Sequence, residues 1–325
     1  MNEADKTVSL QQIRNKIMQE ISDYRRYCQR VFGCRVQKIS VTVGGTCPNR
    51  DGSKGTGGCI FCNNQSFTPP YCLKSDSVRE QLDAGLRFFA HKPDYQKFIA
   101  YFQAYSNTYG PTGDWIRRYE EALAYPEIAG LAIGTRPDCL QDDLLDYLAE
   151  KARHTYILVE LGVESTLDRT LEAINRGHSY ADSAEAIRRC HERGLQTAAH
   201  LILGLPGESR DEMLAHADRI SQLPVDLLKL HQLQIVRGTR LADEFAKNPG
   251  FVHLFGADEY IDLAISFVER LRPDITVERL VSQSPAQWRI APDWQLKNYE
   301  FTEKFRRRMR ERQTWQGRLF HFNDN

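Results

Sequence analysis

Three cysteines lie in one glycine-rich loop of this chain: Cys47, Cys59 and Cys62. Thiolates ligate both iron–sulfur clusters and zinc ions. A structural zinc site is normally closed by four protein ligands, whereas three protein ligands leave one metal position open for chemistry. The loop therefore predicts a metal centre with an open position. Cys72, further along the chain, is the candidate fourth ligand in the alternative of a closed zinc site.

The composition narrows the classes of function. The 325 residues include 43 Lys and Arg against 43 Asp and Glu, so no global basic excess indicates nucleic-acid binding. No apolar run is long enough to span a bilayer and residues 1–23 are polar, so we expect a cytoplasmic protein with no membrane partner. Because the cytosol keeps thiols reduced, the cysteines indicate metal binding rather than disulfides. The cysteines expected to be small packed apolar residues are Cys28, Cys34, Cys139 and Cys190.

Strand and helix patterns alternate along the chain. Apolar and β-branched runs predict strands over 39–43, 98–104, 131–133, 155–161, 197–203 and 227–235. Amphipathic helices are predicted between them, two of which begin at the Ser77 and Ser209 capping boxes. Six such units predict an α/β fold with a parallel sheet, a partial (β/α)6 TIM-like barrel rather than a closed eight-unit barrel.

Further elements flank this core. A helix is predicted over 8–32, another over 260–271 and a last strand over 276–280. Loops at the carboxyl ends of parallel strands carry the reactive groups of such folds, and the cysteine loop directly follows the first strand.

The cysteine loop resembles that of the radical SAM superfamily, in which three cysteines hold a [4Fe–4S] cluster and S-adenosylmethionine chelates the fourth iron. The usual spacing there is Cys-x3-Cys-x2-Cys. Here the first gap is eleven residues, which is similar to a smaller subfamily that opens with Cys-Pro-Asn-Arg-Asp-Gly. The resemblance covers residues 36–241 and implies both cofactors, together with an electron donor such as flavodoxin or ferredoxin. It divides the chain into an N-terminal helical extension (1–33), a barrel (34–281) and a basic, aromatic C-terminal extension (282–325).

Polar residues after the second and third strands are candidates for binding S-adenosylmethionine. The superfamily often has a Gly-Gly-Glu-like stretch after the second strand, which this chain lacks. Ser106 and Asn107 would contact the amino group in its place, unless they form a plain polar turn. Thr135 and Arg136 begin a Thr-Arg-Pro-Asp element that looks like the one in Elp3-like proteins. Arginine is suited to clamping a carboxylate, and the alternative is a surface Arg–Asp pair.

Two residues after the predicted fourth strand are further candidates for binding S-adenosylmethionine. The resemblance implies that Glu164 and Arg176 contact S-adenosylmethionine. Glutamine is usual at the first position; a glutamate could bind the ribose hydroxyls or the ammonium group. Arg176 suits the methionyl carboxylate, and the alternative for its segment is a helix-terminating turn.

The fifth strand ends in a segment that resembles the adenine-side loop of the superfamily. His200 stands where related enzymes often place an aspartate for the ribose, although a lone histidine on an apolar strand can also be a core residue. The loop that follows contains Gly204, Leu205 and Pro206, and its glycines allow close approach of the backbone to a planar base.

The sixth strand carries two catalytic candidates, Lys229 and His231, either of which could face the barrel lumen. The stretch after this strand resembles the Ile-Arg-Gly-Thr of Elp3-like proteins. The resemblance implies an enzyme that cleaves S-adenosylmethionine to a 5′-deoxyadenosyl radical and acts in tRNA wobble-uridine modification, with tRNA as a partner. A radical SAM enzyme acting on a small metabolite and a zinc-stabilised, non-enzymatic binding protein are the alternatives.

The C-terminal extension gives modest support for RNA. Basic residues neutralise phosphates and aromatic residues stack on unpaired bases. The alternative is an amphipathic helix whose aromatic side chains pack on the barrel. The residues concerned are Lys304, Arg306, Arg307, Arg308, Arg310, Arg312 and Arg318, interleaved with Tyr299, Phe301, Phe305, Trp315, Phe320 and Phe322.

Overall fold

The computed structural model describes residues 21–74, 77–90 and 95–321. The strands are β1 Arg35–Val41, β2 Tyr95–Phe102, β3 Ile128–Thr135, β4 Tyr156–Glu164, β5 Gln196–Leu203, β6 Leu227–Gln232, β7 Ile235–Val236, β8 Thr276–Arg279 and β9 Arg289–Ala291. The helices are α1 Tyr24–Phe32, α2 Val78–Phe89, α3 Thr112–Leu123, α4 Asp142–Ala152, α5 Asp168–Ala173, α6 Tyr180–Glu192, α7 Arg210–Ser221, α8 Arg240–Lys247, α9 Ala257–Arg270 and α10 Asn298–Glu311. Most of the helix predicted over 8–32 lies outside the described residues.

Seven strands form one parallel sheet in the order β1-β2-β3-β4-β5-β6-β8. The predicted partial barrel of parallel strands and crossover helices is therefore confirmed, and β8 is the strand predicted over 276–280. The strand predicted over 227–235 is divided, because Gln232 donates from Nε2 to the Ser282 carbonyl at 2.6 Å and the chain then leaves the sheet. After Leu233 and Gln234, the two residues of β7 pair with β9 in an antiparallel ribbon instead.

Two helices begin at serine residues that cap their first turns. Ser77 accepts a hydrogen bond from the Glu80 amide at the start of α2, and Ser209 and Glu212 form a reciprocal capping box on α7. Their apolar faces pack on the outside of the sheet. Among the described residues, no helix is both long and apolar enough to cross a membrane. The predicted division at residues 33 and 281 stays a prediction.

Side chains inside the curled sheet form layers, because inward-facing positions recur with a period of two. The layer at the amino ends of the strands is apolar and consists of Val36, Ile99, Ala132, Leu158, Ala198 and Leu227, packed against Tyr27 and Cys28 of α1. The Tyr27 hydroxyl donates to Gln196 Oε1 at 2.6 Å, which fixes α1 across this end of the barrel.

The next layer towards the carboxyl ends is charged. It contains Lys38 of β1, Glu160 of β4 and Lys229 of β6, each two residues beyond an apolar residue of the first layer. Lys38 Nζ lies 2.5 Å from Glu278 Oε1 on β8, so side chains link the two outer strands of the sheet. This layer forms the floor of the cavity described next.

Candidate active site

A cavity of about 580 Å³ opens at the carboxyl ends of the parallel strands. Cys47, Cys59 and Cys62 all line it, although eleven residues separate the first two. The other predicted site residues on its wall are Ser106, Thr135, Arg136, Glu164, Arg176, His200, Lys229 and His231. Most residues singled out in the sequence therefore meet in one cavity.

Four predicted residues do not reach the cavity wall. Asn107 is buried and donates from Nδ2 to the Gly134 carbonyl at 2.7 Å, so its side chain supports the backbone. Gly204, Leu205 and Pro206 lie behind the wall, and a Cβ at Gly204 would come 3.1 Å from the Phe255 ring. Their proposed contacts with S-adenosylmethionine stay predictions.

The cysteine loop is fastened to the turn after α5. Asn49 Nδ2 donates to the carbonyls of Asn175 and Arg176 at 2.5 and 2.7 Å, and Asn175 Nδ2 donates back to the Gly58 carbonyl at 2.8 Å. Gly177 has φ 74°, and a Cβ there would lie 2.3 Å from Asn49 Oδ1. Only glycine therefore fits this point of contact, and the loop is positioned by backbone groups rather than by its own helices or strands.

Two arginines stand beside the thiols. Arg176 Nη1 lies 3.6 Å from Cys59 Sγ, and its Nη2 donates to the Gly162 carbonyl at 2.5 Å. Burial opposes the charge of Arg176, but Cys59 and then Glu164 outweigh it and hold the pKa of this guanidinium above its usual range. Arg136 Nη1 lies 3.9 Å from Cys47 Sγ. Asp138 and Glu164 pair with these two guanidinium groups, and Arg50 also lines the cavity, so cationic side chains outnumber anionic ones at the thiol end, which favours anionic groups.

The opposite end of the cavity is the charged floor. The fully buried carboxylate of Glu160 accepts hydrogen bonds from Lys38 Nζ at 2.6 Å, Lys229 Nζ at 2.6 Å and His200 Nε2 at 3.0 Å. Burial raises the pKa of Glu160, but the two lysines outweigh it and hold the pKa well below its usual value. Burial lowers the pKa of Lys229 to about 8, against the opposing effect of Glu160.

Residues 41–220 match the Radical SAM superfamily, and residues 225–311 match the Radical_SAM C-terminal domain. This chain belongs to the radical SAM superfamily. Members of this superfamily use a [4Fe–4S] cluster and S-adenosylmethionine, so the chain is an enzyme that cleaves S-adenosylmethionine. The alternative of a zinc-stabilised protein without enzymatic activity is therefore wrong.

Relatives of different length are similar to this chain. The uncharacterized protein MJ0486 of Methanocaldococcus jannaschii is 36% identical over 303 residues, which cover 92% of each chain. The tRNA uridine(34) acetyltransferase of Methanocaldococcus infernus is 28% identical over 177 residues, which are 51% of this chain and 32% of that enzyme. The solved structure of the archaeal Methanocaldococcus infernus Elp3 with an N-terminal deletion has a TM-score of 0.67 at 18% identity, covering 87% of this chain and 64% of that one. This last likeness shows a common fold.

The donor set of this radical SAM enzyme fits an iron–sulfur cluster better than a single metal ion. Within the three described stretches, no three His, Cys, Asp or Glu side chains converge closely enough to hold one ion, as zinc requires. Three cysteines on one wall instead suit a cluster, which offers a separate iron to each thiolate. Cys72 is turned away, because its Sγ donates to the Ser40 carbonyl at 3.1 Å and it does not line the cavity.

Several cavity residues of this radical SAM enzyme were not predicted from the sequence. On the floor, the ring of Tyr101 lies with its centroid 4.8 Å from Lys229 Nζ, and Arg279 has no hydrogen-bond or ion-pair partner among the described residues. His231, which was a predicted candidate, also has a buried Nε2 without a hydrogen-bond partner among the described residues. The signal that would have found Tyr101 is the period of two in β2, since Ile99 faces the same lumen.

The mouth of the cavity carries two exposed aromatic side chains. Phe67 and Tyr105 are 44% and 38% exposed, and both line the cavity. Tyr105 has φ 61°, a left-handed conformation that is costly for a residue with a side chain. Neither residue was predicted to lie at the site, because nothing local distinguishes them from core aromatic residues.

The C-terminal extension packs on the barrel. Phe301, Phe305 and Met309 of α10 are buried. Arg308 and Arg312 both pair with Asp262 of α9, at 2.6 and 2.7 Å. These contacts support the prediction of an amphipathic helix rather than an open basic surface; Phe322 lies outside the described residues.

Proposed function

We propose that this radical SAM enzyme modifies the wobble uridine of tRNA, with the target base entering the cavity between Phe67 and Tyr105. The exposed aromatic pair at the cavity mouth carries the proposal, because single-stranded bases are recognised by stacking on aromatic rings. The similarity to a tRNA uridine(34) acetyltransferase over 177 residues adds support.

The cationic end of the cavity is the proposed cofactor site. Cys47, Cys59 and Cys62 would hold the [4Fe–4S] cluster, and Arg136 or Arg176 would bind the carboxylate of S-adenosylmethionine. When bound, these cofactors would supply the reductive cleavage of S-adenosylmethionine to methionine and a 5′-deoxyadenosyl radical, with the electron coming from a donor such as flavodoxin or ferredoxin. The protein contributes binding, orientation and shielding from water, which the enclosing barrel is built to provide.

The floor is the proposed site of substrate contact. His231 Nε2 has no partner among the described residues and can hydrogen-bond a polar group of the substrate. Lys229 has a pKa of about 8, because burial disfavours its charge, so it can hold or release a proton near neutral pH. Glu160 orients both Lys229 and His200 by accepting a hydrogen bond from each.

The test is anaerobic reconstitution followed by reduction with dithionite and S-adenosylmethionine, with 5′-deoxyadenosine read by mass spectrometry. We expect 5′-deoxyadenosine to form, and bulk tRNA lacking wobble modification to stimulate its formation. A protein with a full iron complement whose 5′-deoxyadenosine yield does not respond to any tRNA would overturn the tRNA proposal.

A radical SAM enzyme acting on a small polar metabolite is the second candidate. It is favoured by the pairing of the tail arginines with acidic residues and by the zero net charge of the chain. In that case a small-molecule extract would stimulate 5′-deoxyadenosine formation and tRNA would not.

A further inference from the structure

We infer that RNA is held by the rim of the cavity mouth and not by the basic C-terminal extension. The rim is defined by Phe67, Tyr105, Arg237 and Arg240. This inference rests on the proposed function, and it names the surface that would bring tRNA to the site. Its partner is single-stranded RNA. The phosphates of such a strand bind cationic side chains, and its bases stack on exposed aromatic side chains.

One segment of the chain, 60–67, joins the four rim residues. At one end, the Leu241 amide donates to the Ile60 carbonyl at 2.9 Å, and Asn63 Nδ2 donates to the Arg237 carbonyl at 2.8 Å. At the other end, Gln103 Nε2 donates to the Phe67 carbonyl at 2.7 Å. The basic and the aromatic parts of the rim therefore adjoin one continuous segment of the chain, residues 60–67, which we call the ridge.

The same ridge borders the cavity. The Tyr105 amide donates to Asn64 Oδ1 at 3.3 Å, and Asn64 lines the cavity together with Phe61 and Val236. Arg237 follows Val236 directly in the chain. A strand of RNA lying along the ridge would thus pass the opening through which a base must enter.

The arginines of the rim differ from those of the C-terminal extension in whether they form ion pairs. Arg237 and Arg240 are exposed, and neither guanidinium has a hydrogen-bond or ion-pair partner among the described residues. By contrast, Arg308 and Arg312 share Asp262, and Arg318 pairs with Glu269 at 2.8 Å. A paired arginine must give up its carboxylate before it can neutralise a phosphate, so the rim arginines bind RNA at lower cost.

Two rim residues have features that are unfavourable for the stability of the folded state. Arg240 lies in the first turn of α8, just after the N-cap Thr239, where a cation is opposed by the helix dipole. Tyr105 combines an exposed ring with a left-handed backbone. Neither feature stabilises the fold, and both place groups suited to RNA at the mouth of the cavity.

The experiment measures binding of fluorescent bulk tRNA to the reconstituted holoenzyme by anisotropy, over a range of salt concentrations. For Arg237→Ala/Arg240→Ala we expect the slope of log K against log salt to become shallower by about 1.5, since two phosphate contacts are lost. For Phe67→Ala we expect affinity to fall about tenfold with the salt slope unchanged, since stacking is not ionic.

The matched control is Arg87→Ala/Lys97→Ala. It removes the same charge from two exposed residues that have no partner among the described residues, at the end of α2 and the start of β2, on the opposite end of the barrel. Its salt slope should equal that of the unmodified protein. Circular dichroism and iron content confirm that each variant is folded and loaded.

The outcomes separate the inference from the proposed function. If tRNA binds but the control or a tail variant, Arg308→Ala/Arg312→Ala, lowers the salt slope as much as the rim variant, the rim assignment is overturned. If the unmodified holoenzyme does not bind tRNA at all, the proposed function and the rim assignment fall together. A selective loss in the rim variant supports both.

Discussion

At the thiol end of the cavity, the metal-binding candidates come from one loop, and at the floor the charged groups come from four separate strands. The loop that carries Cys47, Cys59 and Cys62 is held by hydrogen bonds from asparagine side chains to backbone carbonyls, which link it to a neighbouring turn. The floor holds Glu160 by side-chain contacts to Lys38 and Lys229. The three thiols of the thiol end depend on one local segment, whereas the charged groups of the floor come together only when the sheet is curled.

This difference in construction predicts a difference in what each end contributes. Metal binding stabilises the thiolates, since without a metal the pKa of the half-buried Cys62 thiol is raised to about 11 by burial and then by Cys59. The floor consists of buried ion pairs, which are costly to break because a lone charge would remain. Damage at the thiol end should therefore abolish cofactor binding with little unfolding, and damage at the floor should do the reverse.

The largest effect is expected for the cysteines. Cys47→Ala, Cys59→Ala and Cys62→Ala should each lose the iron–sulfur cluster, because each removes one of three thiolates on the cavity wall. The measurement is iron and sulfide content together with the visible absorption spectrum after anaerobic reconstitution.

Cys72→Ala is the matched control for these variants. It removes a buried thiol that contacts the Ser40 carbonyl instead of the cavity, so the cluster should remain. A full iron complement in any of the three loop variants, or its loss in Cys72→Ala, contradicts the assignment of the ligands.

A smaller effect is expected for Glu160→Gln on the floor. It leaves two buried cations, Lys38 and Lys229, with Glu278 as their one remaining carboxylate among the described residues, and we expect the free energy of unfolding to fall by about 3–5 kcal/mol in urea titrations. Glu120→Gln is the control, because Glu120 pairs with Lys151 at the surface and such pairs contribute less than about 1 kcal/mol. Equal losses in the two variants would mean that the floor adds nothing beyond a surface pair.

The smallest effect concerns Asp138, which pairs with Arg136 beside the thiol end. Burial raises the pKa of Asp138, but hydrogen bonds from Arg136 and Lys54 outweigh it and lower the pKa to about 2 from 3.8. A lowered carboxyl pKa stabilises the folded state above pH 4, and this contribution, on the order of 2 kcal/mol, is lost as the pH falls towards 2.

Asp138→Asn removes that titration. In urea titrations across this pH range, the stability difference between the variant and the unmodified protein should be largest above pH 4 and should shrink towards pH 2. A difference that does not change with pH would show that the charge of Asp138 has no part in stabilising the fold.

Local patterns were enough to predict the thiol end and the parallel barrel. The cysteine spacing, the apolar runs and the capping residues Ser77 and Ser209 are all read within short windows, because ligands, strands and helix starts are determined by neighbouring residues. The same windows could not predict that Gly204 would lie behind the wall, since that depends on Phe255 packing against it from far along the chain.

The sequence by itself determined the chemistry available to this protein: three thiols in one loop, strands that alternate with helices, and polar residues at strand ends. Only the tertiary structure decided which charges are paired. The curl of the sheet brings Glu278 of β8 to Lys38 of β1, and packing of α10 brings the tail arginines to their carboxylates. Arg237 and Arg240 have no side-chain partner in the part of the chain that the structure describes. Pairing depends on distances between residues remote in the chain, and these distances exist only after the hydrophobic faces of helices and sheet have been buried together.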